Sequence, residues 1–79
     1  MTTQTNDRVY RKLLYYFESG KKVYFKVTQN KQILFRVGLI LDLNQSKSFV
    51  ILRENVLGEI PVLFEDIIED TINLAEVRK

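Results

Sequence analysis

The chain has 79 residues, of which 46% are hydrophobic, and it contains neither cysteine nor histidine. This length allows one domain with a limited core, and the absence of cysteine excludes disulfides and thiolate chemistry. Without histidine the chain lacks the commonest acid–base catalyst near neutral pH and the commonest zinc ligand, so we predict a non-enzymatic protein with no metal or cofactor.

The net charge of +2 conceals an uneven distribution along the chain. Residues 1–40 contain eight basic and two acidic residues, whereas residues 41–79 contain four basic and eight acidic ones. Such asymmetry indicates a surface for polyanions or two complementary faces that meet in an oligomer. The alternative is that both halves form ordinary solvated surface, which explains the same numbers of basic and acidic residues.

The longest apolar run is too short to span a bilayer, because Arg36 and Asp42 interrupt it. The N-terminal residues MTTQTNDR are polar and lack the basic and apolar regions of a signal peptide. We therefore expect a soluble, cytoplasmic protein that does not contact membranes.

The N-terminal segment predicts one amphipathic helix. Val9, Leu13 and Phe17 recur at helical spacing, and Gly20 supplies a stop signal of the kind that ends many helices. These features predict a helix over about residues 6–19.

The residues before this helix are expected to be disordered. Residues 1–5 are polar, and Asn6 or Asp7 suits the N-cap position of the helix. This leaves residues 6–79 as a single domain.

Four strands are predicted after the helix from period-two alternation or short apolar runs bounded by turn residues. Their predicted ranges are residues 22–29, 32–43, 48–54 and 59–64. A 3₁₀ turn is predicted next, and residues 69–77 are interpreted as a fifth strand. Helical spacing of Ile68, Ile72 and Ala75 leaves a helix as the alternative for this last segment.

The second strand has apolar residues on both faces and Gly38 at its middle. This pattern is typical of a sharply bent strand that is partly buried on both sides and closely approached by another backbone. Pro61 predicts that the fourth strand lies at an edge, because proline cannot donate to a ladder. The prediction is a mainly β fold, in which an N-terminal α-helix precedes a five-stranded, strongly bent small barrel. Its core is expected to contain the phenylalanines, which are Phe17, Phe25, Phe35, Phe49 and Phe64.

The order and spacing of these elements resemble the Sm-like superfamily of small barrels, which includes the Sm/Lsm proteins and bacterial Hfq. KVYFKVTQNKQ is similar to the first strand and turn of that family, and VGLILDLN to its glycine-centred second strand. SFVILREN is similar to the third strand, and IPVLFEDIIEDTI to the fourth strand, the 3₁₀ turn and the fifth strand. The chain also resembles the YolD-like proteins and Rof, an Sm-like barrel that binds a protein.

Sm-like proteins commonly form rings in which the fourth strand of one protomer pairs with the fifth strand of the next, and they bind U-rich or A-rich RNA. The resemblance implies that the RNA-facing positions are Asp42, Leu43, Asn44, Leu63, Phe64 and Glu65. It also implies a homo-oligomer that is formed through the edge strands, with the interface residues Ile60, Val62, Phe64, Ile72 and Leu74.

Basic residues interleaved with tyrosines indicate nucleic-acid binding, in which cations contact phosphates and Tyr15 or Tyr24 stacks on bases. The candidate residues outside the loops are Arg8, Arg11, Lys12, Tyr15, Lys21, Lys22, Lys26 and Arg36. A solvated helix face with half-packed tyrosines is the structural alternative.

A protein-binding adaptor or inhibitor that does not bind RNA is the alternative function. The segment LFED at residues 63–66 favours it, because this turn is acidic where the corresponding turn of Hfq is basic and aromatic. Glu65, Asp66, Glu69 and Asp70 form a dense acidic cluster without the ordered spacing of a cation site. We interpret this cluster as a solvated turn.

Overall fold

The fold is described from a computed structural model. It covers residues 2–75, with side chains from residue 6 onward. The elements in chain order are α1 (Thr2–Ser19), β1 (Val23–Gln29), β2 (Gln32–Asn44), β3 (Phe49–Glu54), β4 (Gly58–Leu63), a 3₁₀ turn (Phe64–Asp66) and β5 (Ile67–Leu74). The predicted helix followed by a mainly β chain is confirmed. No helix within residues 2–75 is both long enough and apolar enough to cross a membrane.

The five strands are antiparallel and form one sheet in the order β4-β3-β2-β1-β5. In the described part of the chain β4 and β5 are the free edges, so the sheet is open. Pro61 lies on an edge strand, as predicted. Residues 69–77 were predicted as a strand, with a helix as the alternative. They form a strand as far as Leu74, and residues 76 and 77 lie outside the described residues.

The helix begins four residues earlier than the pattern predicts, at Thr2. Residues 2–5, which were expected to be disordered, continue the helix, and Met1 lies outside the described residues. Asn6 and Asp7 are therefore inside the helix and not at its N-cap. The Asn6 side-chain amide donates a hydrogen bond to Ser48 Oγ at 3.4 Å, which ties the helix to the turn between β2 and β3.

Gly20 ends the helix as the sequence predicts. Its φ of +70° lies in the left-handed region, and the Lys21 amide donates to the Tyr16 carbonyl at 3.3 Å. This bond spans the last turn in the manner of a Schellman motif, which satisfies a carbonyl that the helix leaves unpaired.

A two-residue turn joins β1 to β2. Gln29 pairs with Gln32, and both turn residues have positive φ, 52° at Asn30 and 64° at Lys31. Positive φ at both central residues defines the type I′ turn, whose twist matches that of the flanking strands. The turn fixes the register in which Phe25 faces the core and Lys26 faces outward.

Gly38 is the point at which β2 changes its partner. Residues 32–38 pair with β1, where Gly38 lies opposite Val23, and pairing with β3 begins at Leu39 opposite Arg53. A Cβ atom on Gly38 would lie 2.8 Å from the Arg53 carbonyl carbon and closer still to its oxygen. Only glycine permits this approach, so the predicted bend and close backbone contact are confirmed.

The helix and the inner face of the sheet enclose one core. Its buried hydrophobic members are Val9, Leu13, Val23, Phe25, Val27, Ile40, Val50, Leu52, Val62, Phe64, Ile67 and Ile72. Burial of each Leu, Ile or Phe side chain contributes about 1.5–3 kcal/mol, so these contacts and not helix propensity hold α1 on the sheet.

The prediction that every phenylalanine lies in the core is wrong for three of them. Phe49 is half-buried and does not belong to the core. Phe17 is exposed together with residues 18–22, because the last turn of α1 extends past the sheet. Phe35 lies on the outer face of β2, since it pairs with the outward-facing Lys26. The first half of β2 is therefore covered on one side only, in contrast to the predicted burial on both sides.

Replacement of Gly38 by alanine should lower the free energy of unfolding by about 3 kcal/mol, because the added methyl group forces β2 and β3 apart. Urea denaturation followed by circular dichroism measures this loss. Val37→Ile adds one methyl group at the neighbouring position on the exposed face and should change stability by less than about 0.5 kcal/mol. Equal unfolding midpoints for the two variants would contradict this account of Gly38.

Candidate nucleic-acid interface

An irregularity in β5 brings acidic and apolar side chains to the helix. Tyr24 pairs with Asn73 and Lys26 pairs with Ile68, so residues 69–72 of β5 face the single residue of β1 between these pairs. The Thr71 hydroxyl compensates for the interrupted ladder: Oγ1 accepts from the Lys26 amide at 2.8 Å and donates to the Ile68 carbonyl at 2.6 Å. Bulges of this kind redirect side chains near functional sites.

The bulge directs Glu69 toward the basic face of α1. Glu69 Oε2 lies 3.2 Å from Lys12 Nζ, and Oε1 lies 3.9 Å from an Arg8 terminal nitrogen. The carboxylate is largely covered, whereas Arg8 remains mostly exposed, so the longer contact contributes little. Part of the acidic cluster thus neutralises basic residues of its own chain.

Lys12, Tyr15 and Tyr16 on α1 and Ile72 on β5 line a shallow groove of about 290 Å³. Ile72 forms its apolar floor, because the bulge turns this side chain inward. The groove is open along one side and combines aromatic, apolar and cationic groups. These are the groups that single-stranded nucleic acid contacts through its bases and phosphates.

Tyr15 is the most accessible aromatic side chain of the groove, with 56% of its surface exposed. Its ring meets that of Tyr16 edge to face, with centroids 5.0 Å apart and planes at 81°. Lys21 Nζ lies 6.0 Å from the Tyr15 centroid, at the outer limit of a cation–π contact. The ring is therefore placed by Tyr16 and Lys21, and much of its surface remains open to a stacking partner.

The helix carries a further cation beside this groove. Arg11 is exposed one turn before Tyr15, and within the described residues it forms no ion pair. Lys22 is also exposed and follows Lys21, while its backbone carbonyl accepts from the Ala75 amide at 3.1 Å. The structure thus brings Lys12 and Lys21 near Tyr15, and Arg11 and Lys22 are exposed cations close to them in the chain.

Two other predicted residues lie apart from the groove. Lys26 is on the outer face of the sheet, where its Nζ is 5.4 Å from the Phe35 ring centroid. Arg36 lies on the opposite side of β2 and lines a separate cleft of about 330 Å³ together with Asp66 and the edge residue Pro61. A single short ligand in the helix groove does not reach either of them.

The predicted loop residues Asp42 and Asn44 have local structural roles. Asp42 Oδ1 accepts from the Leu43 amide at 3.0 Å. Asn44 Oδ1 accepts from the Lys47 amide at 2.9 Å and from Ser46 Oγ at 3.2 Å. The Asn44 bonds shape the turn between β2 and β3 and occupy both acceptor positions of its side chain, whereas the second carboxylate oxygen of Asp42 forms no hydrogen bond within the described residues.

The predicted interface residues differ in accessibility. Val62, Phe64 and Ile72 are buried in the chain's own core, so they offer a neighbouring protomer only backbone groups. Ile60 is half-buried and Leu74 is exposed, and these two side chains lie on opposite edges of the sheet. The remaining RNA-facing candidates in the turn, Leu63 and Glu65, are exposed.

Sequence reasoning did not assign Tyr16 or Ile72 to the nucleic-acid site, although both line the groove. Tyr16 follows Leu13 by three residues, so helical spacing puts it next to the apolar face, which is a usable signal. Nothing in the sequence placed Ile72 beside Tyr15, because that proximity depends on the bulge in β5.

The acidic cluster does not form a cation site in the described residues, where no three acidic side chains converge on a common point. Comparison of the chain with protein-family models, curated proteins and solved structures finds no match. The groove is therefore interpreted from its own geometry.

Thr71→Val should lower the free energy of unfolding by about 1–3 kcal/mol, because the Lys26 amide loses its acceptor in a partly buried position. Thr71→Ser keeps the hydroxyl and should retain most of this stability. Thermal or urea unfolding of the two variants provides the comparison. If they unfold at the same midpoint, the hydroxyl does not stabilise the bulge.

Proposed function

We propose that this chain is a small, non-enzymatic nucleic-acid-binding protein whose ligand is single-stranded RNA. The observation that supports this most directly is the groove that the exposed Tyr15 lines together with Lys12, with Lys21 Nζ 6.0 Å from the Tyr15 ring centroid. A base stacks on the Tyr15 ring, and the phosphates on either side of it contact the two lysines. Base–aromatic stacking is worth about 1–3 kcal/mol per base and accepts every base, so the groove binds with little sequence preference.

The surrounding charge is consistent with a modest, salt-sensitive affinity. Arg8 and Lys12 are partly neutralised by Glu69, whereas Arg11 and Lys21 form no ion pair within the described residues. Each phosphate that a cation neutralises releases bound counterions, which makes binding weaken as salt rises. A few such contacts give weak and reversible binding, which suits a regulatory protein.

The finer fold assignment is also part of the proposal. The bend of β2 at Gly38 supports an Sm-like small barrel, and the two free edges β4 and β5 support its assembly into a homo-oligomer. We place this protein in the cytoplasm. In such an assembly β4 of one protomer pairs with β5 of the next. Backbone groups supply most of this contact, with Ile60 and Leu74 as its accessible side chains.

Tyr15→Ala should weaken binding of a fluorescently labelled oligonucleotide by about 5- to 100-fold, because one stacking interaction is lost. Tyr15→Phe retains the ring and should bind nearly as the wild type does. Fluorescence anisotropy with U-rich and A-rich single strands measures both. Equal affinities of the alanine variant and the wild type would refute the stacking role of Tyr15.

Arg11→Gln should reduce the slope of log affinity against log salt concentration by about 0.7, the value for one phosphate contact on a single strand. Lys47→Gln removes the same charge from the exposed turn between β2 and β3 and should leave the slope unchanged. Titrations at several salt concentrations determine both slopes. Identical changes in the two variants would show that only net charge matters and that the groove binds no specific phosphate.

A protein-binding adaptor remains the second candidate, because the structure exposes apolar side chains at both ends of β4. Leu63 is exposed directly before the acidic 3₁₀ turn, and Val56 and Leu57 project from the turn between β3 and β4. An adaptor would show no affinity for either oligonucleotide.

A further inference from the structure

A cleft on the inner side of the sheet contains a half-buried cation, Arg36. Arg36 lies opposite Phe25 in the β1–β2 ladder, so its side chain projects from the same face of the sheet as the fully buried Phe25 ring. Within the described residues its one side-chain hydrogen bond runs from a terminal guanidinium nitrogen to the neighbouring Phe35 carbonyl, at 3.2 Å. A guanidinium has five N–H donors, so most of them remain available to a ligand.

An acidic residue lines the same cleft. Asp66 ends the 3₁₀ turn and is half-buried, yet in the described part of the chain it forms no ion pair with Arg36. Opposite charges that line one cleft without contacting each other leave room for a ligand that contacts both. Gln29 at the end of β1 adds an amide, which both donates and accepts hydrogen bonds. The polar groups of the cleft thus match a ligand that carries a negative and a positive charge.

The remaining walls of the cleft are apolar and are fixed by the strands. Val27 on β1 and Val62 on β4 are buried, and Ile60 is half-buried. Pro61, between the two β4 residues, has a restricted φ. Little conformational entropy is lost when a ligand contacts such walls, and their chemistry suits an aliphatic group.

The volume of the cleft limits the size of its ligand. It is about 330 Å³, near the lower end of the range of about 300–1,000 Å³ for small-molecule sites. A ligand the size of an amino acid fits this volume better than a nucleotide or an organic cofactor does. Nucleic acid is further disfavoured because Asp66 repels the phosphate next to one that Arg36 would bind.

We propose that this cleft binds a small zwitterion with an aliphatic body, namely a free aliphatic amino acid. Its carboxylate accepts hydrogen bonds from the Arg36 guanidinium, whose planar fork suits two parallel bonds to a carboxylate. Its ammonium group donates to the Asp66 carboxylate, and its side chain packs against Ile60 and Val62. The cleft is separate from the helix groove, so the proposal does not depend on RNA binding.

Titration of the isotope-labelled chain with L-leucine, followed by NMR spectroscopy, tests the proposal. The amide signals of Ile60 and Val62 should shift, whereas that of Tyr15 in the helix groove should not. Leucinamide lacks the carboxylate, and isocaproate lacks the ammonium group. Each should bind about tenfold or more weakly than L-leucine, because each loses charge-assisted hydrogen bonds in a partly buried site.

Variants assign each charge of the ligand to its partner. Arg36→Gln should weaken the binding of both L-leucine and isocaproate by about tenfold or more, because both ligands carry the carboxylate. Asp66→Asn should weaken the binding of L-leucine to a similar extent and leave that of isocaproate no weaker.

Matched controls separate these effects from net charge and from folding. Arg53→Gln and Asp70→Asn make the same changes at exposed positions that do not line the cleft, and both should bind L-leucine as the wild type does. Circular dichroism verifies that each variant is folded. Arg36→Lys keeps the charge without the planar fork and should bind more tightly than Arg36→Gln.

Three outcomes would overturn the proposal. The signals of Ile60 and Val62 could remain in place at millimolar L-leucine. Equal binding of L-leucine and isocaproate by the wild type would show that Asp66 does not hold an ammonium group. Loss of oligonucleotide affinity in Arg36→Gln would assign the cleft to nucleic acid. Tyr15→Ala should leave the binding of L-leucine unchanged, so failure of the RNA proposal and failure of this one are distinguishable.

Discussion

The architecture depends on the close approach of two backbones at Gly38. The main chain at Gly38 lies against the Arg53 carbonyl, and no side chain fits between them. At this point β2 stops pairing with β1 and begins to pair with β3. One continuous strand therefore belongs to both halves of the sheet. The inner side of this bend receives Val9 and Leu13 of the helix. The absence of a Cβ atom at Gly38 is therefore what lets β2 and β3 pack this closely.

A second constraint acts at the opposite side of β1, where the bulge in β5 replaces regular pairing. Thr71 satisfies the Lys26 amide through its hydroxyl and thereby allows four residues to project from the ladder. Within the bulge, the Glu69 side chain points to Lys12 of the helix, whereas the Ile72 side chain is buried in the core. The groove beside Tyr15 exists because of this irregularity, since a regular strand would place these side chains elsewhere.

The fold accounts for part of the uneven distribution of charge along the chain. Part of the basic half meets part of the acidic half within one chain, through Lys12 and Glu69. Two surfaces of different chemistry remain. The helix groove offers Lys12 and Lys21 near an accessible ring, whereas the outer sheet face exposes Ile33, Phe35 and Val37.

The sequence by itself determined the helix, the order of the strands, the turn at Gly20 and the special role of Gly38, because these follow from local periodicity and from residues with unusual backbone freedom. Local patterns do not determine which side of a strand is covered or which distant side chains meet. Phe35 is as apolar as Phe25, and only the register of β1 and β2 places one outside and the other in the core. The meeting of Glu69 with the helix likewise depends on long-range packing, which tertiary structure alone decides.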